Sequence, residues 1–383
     1  MDWESHARRL APDVVRPESR WFGPLATTPR HVFVPRWWAH EGQAWEMHDG
    51  PADAGAWMRA AYANRTLVTR IGPVHADQAE PGATVAAGSP TSSSTLPGLV
   101  VTMYRHAMIA DDSRVLVTTG TGYGTALLCR RLGDERVTSV DVDPYLVTTA
   151  RGRLDSIGLH PRTAVVDITG YLPGEYDRIV STVSVRPVPA SWLAALRPGG
   201  RLVTTLTGTG LIVTADKTED GGATGRIAPD PAGFMRTRHG DDYDRQTDEL
   251  WEKAKEAEGE SVTTSRYPLL YVPDSWEVMS MLALTVPGID HRTTTAGDTR
   301  TVWMLHPDGS WARASADGFL NSPTVHQGGP RRLWDGLERI RHRLNREGGL
   351  PVYGAHVRID PDGTLTLSRG SWTATVGHDG GVA

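Results

Sequence analysis

Apolar residues in the middle of this chain fall in short blocks separated by helix-length stretches, the alternation from which a parallel α/β sheet is built. Val115-Leu116-Val117 is the first β run, and Ala126-Leu127-Leu128-Cys129 continues into a helix ending near Gly133. Val137-Thr138-Ser139-Val140 predicts a second strand, Ala164-Val165-Val166 a third and Arg178-Ile179-Val180-Ser181-Thr182 a fourth. A fifth, Arg201-Leu202-Val203-Thr204-Thr205-Leu206, follows the turn Pro198-Gly199-Gly200. Leu211-Ile212-Val213-Thr214 and Gly225-Arg226-Ile227-Ala228 then flank Thr218-Glu219-Asp220-Gly221-Gly222 as a closing hairpin.

The flanks have a different pattern. Up to residue 85 the apolar content sits in short pieces, and Pro12, Pro17, Gly23-Pro24 and Pro29 prevent long helices, so an irregular, partly helical cap is expected. A loop of small and hydroxyl residues spans 86–97, ahead of a helix carrying Leu99, Val100, Val101, Met103, Tyr104 and Met108. Beyond about 235 an acidic segment (Asp241, Asp242, Asp244, Asp248, Glu249) leads into a tail where Pro307-Asp308-Gly309 and Pro361-Asp362-Gly363 each mark a hairpin. Between these turns Leu333, Leu337, Ile340 and Leu344 recur at helical spacing, surrounded by Arg332, Arg339, Arg341, Arg343 and Arg346. Those arginines read as a solvated face, with a dock for an acidic peptide as the sharper alternative. The expected organisation is a cap at 1–85, an α/β domain at 86–234 and an α+β extension at 235–383.

Composition narrows the function classes. A content of 39% hydrophobic and 22% charged residues describes a globular chain, and no apolar run approaches the ~20 residues of a membrane span. Mixed charges over Met1–Arg9, with no apolar run behind them, argue against a secretory signal and leave the cytoplasm as the expected location. Cys129 is the single cysteine, so neither an internal disulfide nor a Cys-based zinc site can form, and no metal is expected. A net charge of −5 disfavours nucleic acid as a partner, since phosphate neutralisation needs a basic face.

Candidate chemistry begins between the first strand and its helix. There Thr119-Gly120-Thr121-Gly122-Tyr123-Gly124 places glycines where backbone must approach a ligand. Asp141 follows Gly122 by 19 residues, at the end of the second strand, where a carboxylate accepts hydrogen bonds from ribose hydroxyls. A dinucleotide site wants its third glycine where Thr125 stands, so the spacing favours S-adenosylmethionine. Asp167, at the end of the third strand, can meet an adenine amino group. The expected nucleoside residues are Thr119, Gly120, Thr121, Gly122, Tyr123, Asp141, Val142, Asp167 and Ile168. For Asp167 an ordinary solvated turn acid is the plain alternative.

Thr28-Pro29-Arg30-His31-Val32-Phe33-Val34-Pro35 resembles the Pro-Arg-His-x-Phe-Val-Pro box of the protein-L-isoaspartate O-methyltransferase family. Thr95-Leu96-Pro97-Gly98-Leu99-Val100-Val101-Thr102-Met103 resembles that family's Ser-Gln-Pro-x-x-Val-Ala-x-Met stretch, and Ser139-Val140-Asp141-Val142-Asp143 its Ser-Val-Glu-Ile-Asp. Tyr176-Asp177-Arg178-Ile179 and Arg197-Pro198-Gly199-Gly200-Arg201 follow in the family's order, so the likeness covers roughly residues 1 to 210. It implies a Rossmann-like class I methyltransferase sheet and methyl transfer from S-adenosylmethionine to a peptide carboxylate, releasing S-adenosylhomocysteine. A hydroxyl donor orients the carboxylate in that family. Thr95 matches it by alignment, with Ser94 and Ser93 as alternatives if the register slips.

Three departures bear on the site. The family's acid before the Gly loop is Leu116 or Val117 here, its first loop glycine is Thr118, and Asn64 stands in place of an Asp. The ~150 residues beyond 234 exceed the repair enzyme's length, and Gly122–Leu128 and Ser184–Pro189 resemble extended members that act in ribosomal peptide (lanthipeptide or graspetide) biosynthesis. That likeness implies methylation of an ordinary Asp in a modified precursor peptide, with closure to aspartimide and opening to isoaspartate. General isoaspartyl repair, a catalytically inactive peptide-binding module and a small-molecule O-methyltransferase are the alternatives.

Overall fold

A computed structural model describes residues 2–41, 44–86, 88–238, 240, 243, 246–318 and 320–377, and in it the five expected parallel strands pair side by side. They are Val115–Thr118, Val137–Asp141, Arg162–Val165, Tyr176–Val185 and Leu196–Leu206. Their spatial order is third, second, first, fourth, fifth, the Rossmann-like order. Progression along the sheet reverses between the first and fourth strands, and such a reversal opens a crevice outside their carboxyl ends. Val115, Leu116, Ile179, Val180, Leu202 and Val203 are all buried because helices cover both faces of the sheet.

The sheet extends past its fifth strand. The hairpin Leu211–Lys217 and Ala223–Pro231 adds to Leu196–Leu206 antiparallel, and three strands from the tail, His356–Ile359, Leu365–Arg369 and Trp372–Val376, carry the sheet to ten strands. Pairing of Ala223–Arg226 with His356–Ile359 therefore runs across the expected 234/235 boundary. The rest of the tail forms a five-stranded antiparallel sheet between Ser261 and Gly328, backed by the helices Trp276–Thr285 and Leu333–Glu347. Both Pro-Asp-Gly turns close hairpins, with His306 N–H donating to the Ser310 carbonyl and Asp360 N–H to that of Thr364. Leu333, Leu337 and Ile340 enter the same core as Leu116 and Ile179. Three of the arginines around that helix find partners: Arg332 pairs with Glu260, Arg343 with Glu347, and Arg341 stacks on Tyr267.

The first 85 residues are more regular than their punctuation suggests. Helices Trp3–Val14, Phe22–Thr27, Arg30–Phe33 and Ala54–Ala61 accompany an antiparallel sheet of Arg36–Glu41, Ala44–Asp49, Leu67–Ile71, Val74–His75 and Thr84–Val85. Pro12 sits within the first helix rather than ending it. The expected loop at 86–97 is also corrected, because Pro90–Ser94 pairs antiparallel with Leu67–Ile71. Hydroxyl residues give that strand no apolar period, yet Thr91, Ser92 and Ser94 are buried. The next helix, Pro97–His106, stops short of Met108, which is exposed at φ +50°. Ala87, Asp241, Asp242 and Asp244 lie outside the described residues. No helix among the described residues is long and apolar enough to cross a membrane.

Candidate functional site

A cavity of about 220 Å³ lies at the carboxyl ends of the first and fourth strands, where the strand order reverses. Gly120, Asp141, Val142, Asp167 and Ile168 line it, and so do Ser93 and Thr95. Asp141 anchors the Gly loop: its Oδ2 accepts from Gly120 N–H at 3.0 Å and its Oδ1 from Asp143 N–H at 3.1 Å. Burial raises its pKa above the ordinary carboxylate value. Each carboxylate oxygen keeps a second lone pair for a further donor. Val142, Leu146, Val166 and Ile168 add apolar walls, so an acid that can grip a diol stands beside a slot for a flat base. These residues fit the nucleoside end of S-adenosylmethionine.

Other expected residues stand behind this wall and shape it. Gly122, at φ +92°, starts the helix Tyr123–Leu132, and a Cβ there would come within 3.0 Å of the Ala150 Cβ. The Thr119 hydroxyl bonds Ser139 at 2.7 Å, which also meets Thr125 at 2.8 Å, so Thr119 points into the fold. Thr121 is buried, and Tyr123 lies beneath the Arg30 guanidinium, 5.5 Å from its ring centre. Asp167 sits on the cavity wall, with Oδ1 accepting from both the amide and the hydroxyl of Thr169.

Strand alternation separates the three hydroxyl candidates. Ser94 is buried with its hydroxyl 3.4 Å from the Arg30 guanidinium, whereas Ser93 and Thr95 line the cavity. Arg30 is buried, has no carboxylate partner among the described residues, and donates to the carbonyls of Ala61, Ala63, Arg65, Ser94 and Thr95 at 2.8–3.3 Å. Burial brings its pKa down to about 10. One guanidinium thus ties the cap to the strand and turn that present Thr95. Thr66 and Asn64 complete the turn, accepting from Leu96 N–H at 3.1 Å and Gly98 N–H at 2.8 Å. Leu116 and Val117 are core residues, so no acid occupies either position; the wall nearby offers the hydroxyl pair Thr118 and Thr182, 2.7 Å apart.

His31, beside Arg30, lies 2.8 Å from the Tyr62 hydroxyl, and burial lowers its pKa to about 4. A base titrating lower folded than unfolded makes the unfolded chain bind more protons. Its contribution to stability is therefore full above its ordinary value of 6.5 and is lost as the pH falls through about 4. Urea unfolding at about pH 7 and about pH 5 should show a smaller pH loss for His31→Gln than for the wild type.

Sequence reasoning missed the roof. Gly233–Arg238 runs along the end of the fourth strand, with Ser184 N–H donating to the Met235 carbonyl at 2.8 Å and Thr237 N–H to that of Ser184 at 3.1 Å. Arg238 meets Asp143 at 3.5 Å, as do His75 at 3.2 Å and Arg70 at 3.7 Å. Burial alone would raise the Asp143 pKa, but His75, the Tyr145 N–H and Arg70 hold its carboxyl well below the usual range. The pair Arg236 and Arg238 was visible after the hairpin, but nothing in the local pattern told where that backbone turns.

Residues 80–228 match the family model described as protein-L-isoaspartate(D-aspartate) O-methyltransferase. A protein-L-isoaspartate O-methyltransferase of Nitrobacter winogradskyi is 33% identical over 111 residues, covering 28% of this chain and 50% of that protein. One from Anaeromyxobacter dehalogenans is 37% identical over 112 residues, covering 28% and 53%. The chain thus spans about half the length of the curated relatives it matches. A solved structure titled protein-L-isoaspartate O-methyltransferase aligns with TM-score 0.46 and 16% identity, over 98% of this chain and 100% of that one. Residues 80–228 of this chain are thus similar to the protein-L-isoaspartate O-methyltransferases.

Proposed function

We propose that the chain is an S-adenosylmethionine-dependent carboxyl methyltransferase acting on an isoaspartyl or aspartyl residue of a peptide. The observation that carries this reading is one cavity lined by Asp141 and Gly120 together with Ser93 and Thr95. Asp141 would hold the ribose and Val142, Leu146 and Ile168 the base. When bound, S-adenosylmethionine supplies an electrophilic methyl group and leaves as S-adenosylhomocysteine.

The residues of this chain have a positioning task. A carboxylate is already nucleophilic, so no base need remove a proton, and in-line placement with water excluded supplies most of the acceleration. No hydrogen bond among the described residues engages the hydroxyls of Thr95 or Ser93, and Thr95 can donate to one carboxylate oxygen while the other attacks. The segment Gly233–Arg238 lines the same cavity.

The finer reading is that the substrate is a ribosomally made, modified peptide, in which the new methyl ester is displaced by the following backbone nitrogen to give an aspartimide. Its support is the tail, which contributes three strands to the catalytic sheet.

Thr95→Val keeps the side chain's shape and removes its donor, and should lower kcat/KM for an isoaspartyl peptide by roughly 10- to 100-fold. Thr95→Ser should recover most of that. Equal rates for Thr95→Val and the wild type would remove Thr95 from the reaction. Comparing a short isoaspartyl peptide with a cyclised precursor peptide tests the finer reading, which robust turnover of the former alone would contradict.

A further inference from the structure

The roof carries two arginines with different surroundings. Arg238 is tucked against Asp143, whereas Arg236 is exposed at the cavity mouth, and among the described residues no carboxylate lies within ion-pair distance of its guanidinium. Arg236 is nonetheless held in place. Its backbone bridges to Ser184, its guanidinium lies 4.6 Å from the centre of the Tyr243 ring, and the Tyr243 hydroxyl donates to its carbonyl at 3.0 Å. A positioned cation at the rim of a pocket, with no carboxylate partner among the described residues, is a site for an anion.

The chemistry of methyl transfer indicates which anion. As the carboxylate oxygen bonds to the methyl carbon, the carbon–sulfur bond breaks with its electron pair going to sulfur, and the carboxylate loses its negative charge. A guanidinium on that reacting carboxylate would stabilise the charged ground state more than the transition state and so slow the step. Arg236 therefore suits a carboxylate that keeps its charge throughout. Building on the function proposed above, we propose that Arg236 binds a second carboxylate of the peptide, on a residue flanking the methylated one, and so selects acidic peptides.

The test uses the full-length chain and isoaspartyl hexapeptides that differ only in whether Glu, Gln or Lys flanks the isoaspartyl residue. For an ion pair at a partly solvated rim, KM for the Glu peptide should be about five- to tenfold below that for the Gln peptide. Arg236→Gln should flatten this preference, Arg236→Lys should keep part of it, and Arg236→Glu should shift it toward the Lys peptide. The same ranking, read by calorimetry on protein saturated with S-adenosylhomocysteine, does not depend on turnover. A chain that methylates none of the peptides contradicts the proposed function, while the binding ranking still decides the role of Arg236. An unchanged Glu preference in Arg236→Gln overturns the proposal. So does a loss of S-adenosylhomocysteine affinity in Arg236→Gln equal to the loss for the Glu peptide, which would assign the guanidinium to the cofactor.

Discussion

Arg30→Ala should destabilise the protein by roughly 3–5 kcal/mol, because it removes a buried side chain and leaves carbonyls from two parts of the chain without donors. Those carbonyls belong to Ala61, Ala63 and Arg65 on one side and to Ser94 and Thr95 on the other. Chemical denaturation measures the loss. If that variant does not fold, Arg30→Lys still decides the matter. Lysine retains the charge but offers three donors on a single atom where arginine offers five in a planar fork. It cannot span both groups of carbonyls, so a loss of about 2 kcal/mol is expected, along with a fall in methyl transfer as the turn at Thr95 loses its anchor. Full stability in Arg30→Lys would show that the charge alone is needed there.

On the proposed function, Asp141→Asn should weaken S-adenosylhomocysteine binding by roughly 100-fold, the value of losing the charge-assisted hydrogen bonds that Asp141 would make to two ribose hydroxyls. The substitution keeps the side chain's volume. An amide, however, has one accepting oxygen, whereas the carboxylate receives both Gly120 N–H and Asp143 N–H. The Asn NH₂ would then face a backbone donor, so the start of the Gly loop should also loosen, with a drop of a few degrees in Tm. Calorimetry and thermal unfolding together read both effects. Unchanged affinity would take the ribose away from Asp141.

The five parallel strands were legible because each is a short apolar block bounded by turn residues, and burial on both faces requires that pattern. Their spatial order was not, since it depends on which strand edges meet after the helices pack. The cap's sheet escaped notice because its strands are short, two to six residues each, and carry Trp, His, Arg and Glu in place of alternating aliphatics. The same reason conceals Pro90–Ser94, whose buried face is made of hydroxyls bonded to neighbours, as Thr91 is to the Gly72 carbonyl at 2.7 Å. The tail's hairpins could be read from their Pro-Asp-Gly turns, but the docking of His356–Ile359 onto Ala223–Arg226 is a long-range pairing without a local signature.

Within the site, Asp141 and the Gly loop followed from spacing, and the structure places Asp141 and Gly120 on the cavity wall. The choice among Ser93, Ser94 and Thr95 needed the strand's register, because alternation buries Ser94. Arg30 stands in a motif that drew attention to it, yet its role as a clamp on carbonyls distant in sequence emerges only in three dimensions. Arg236 and Arg238 belong to a segment whose path is set by a bridge to Ser184.

The central claim is that this chain methylates a peptide carboxylate, and mass spectrometry of an isoaspartyl peptide incubated with the full-length chain and S-adenosylmethionine tests it most directly. The account predicts a product heavier by one methyl ester, labile to base, formed by the wild type and strongly reduced in Asp141→Asn. Cofactor binding with no methylation of that peptide or of a cyclised precursor peptide would contradict it.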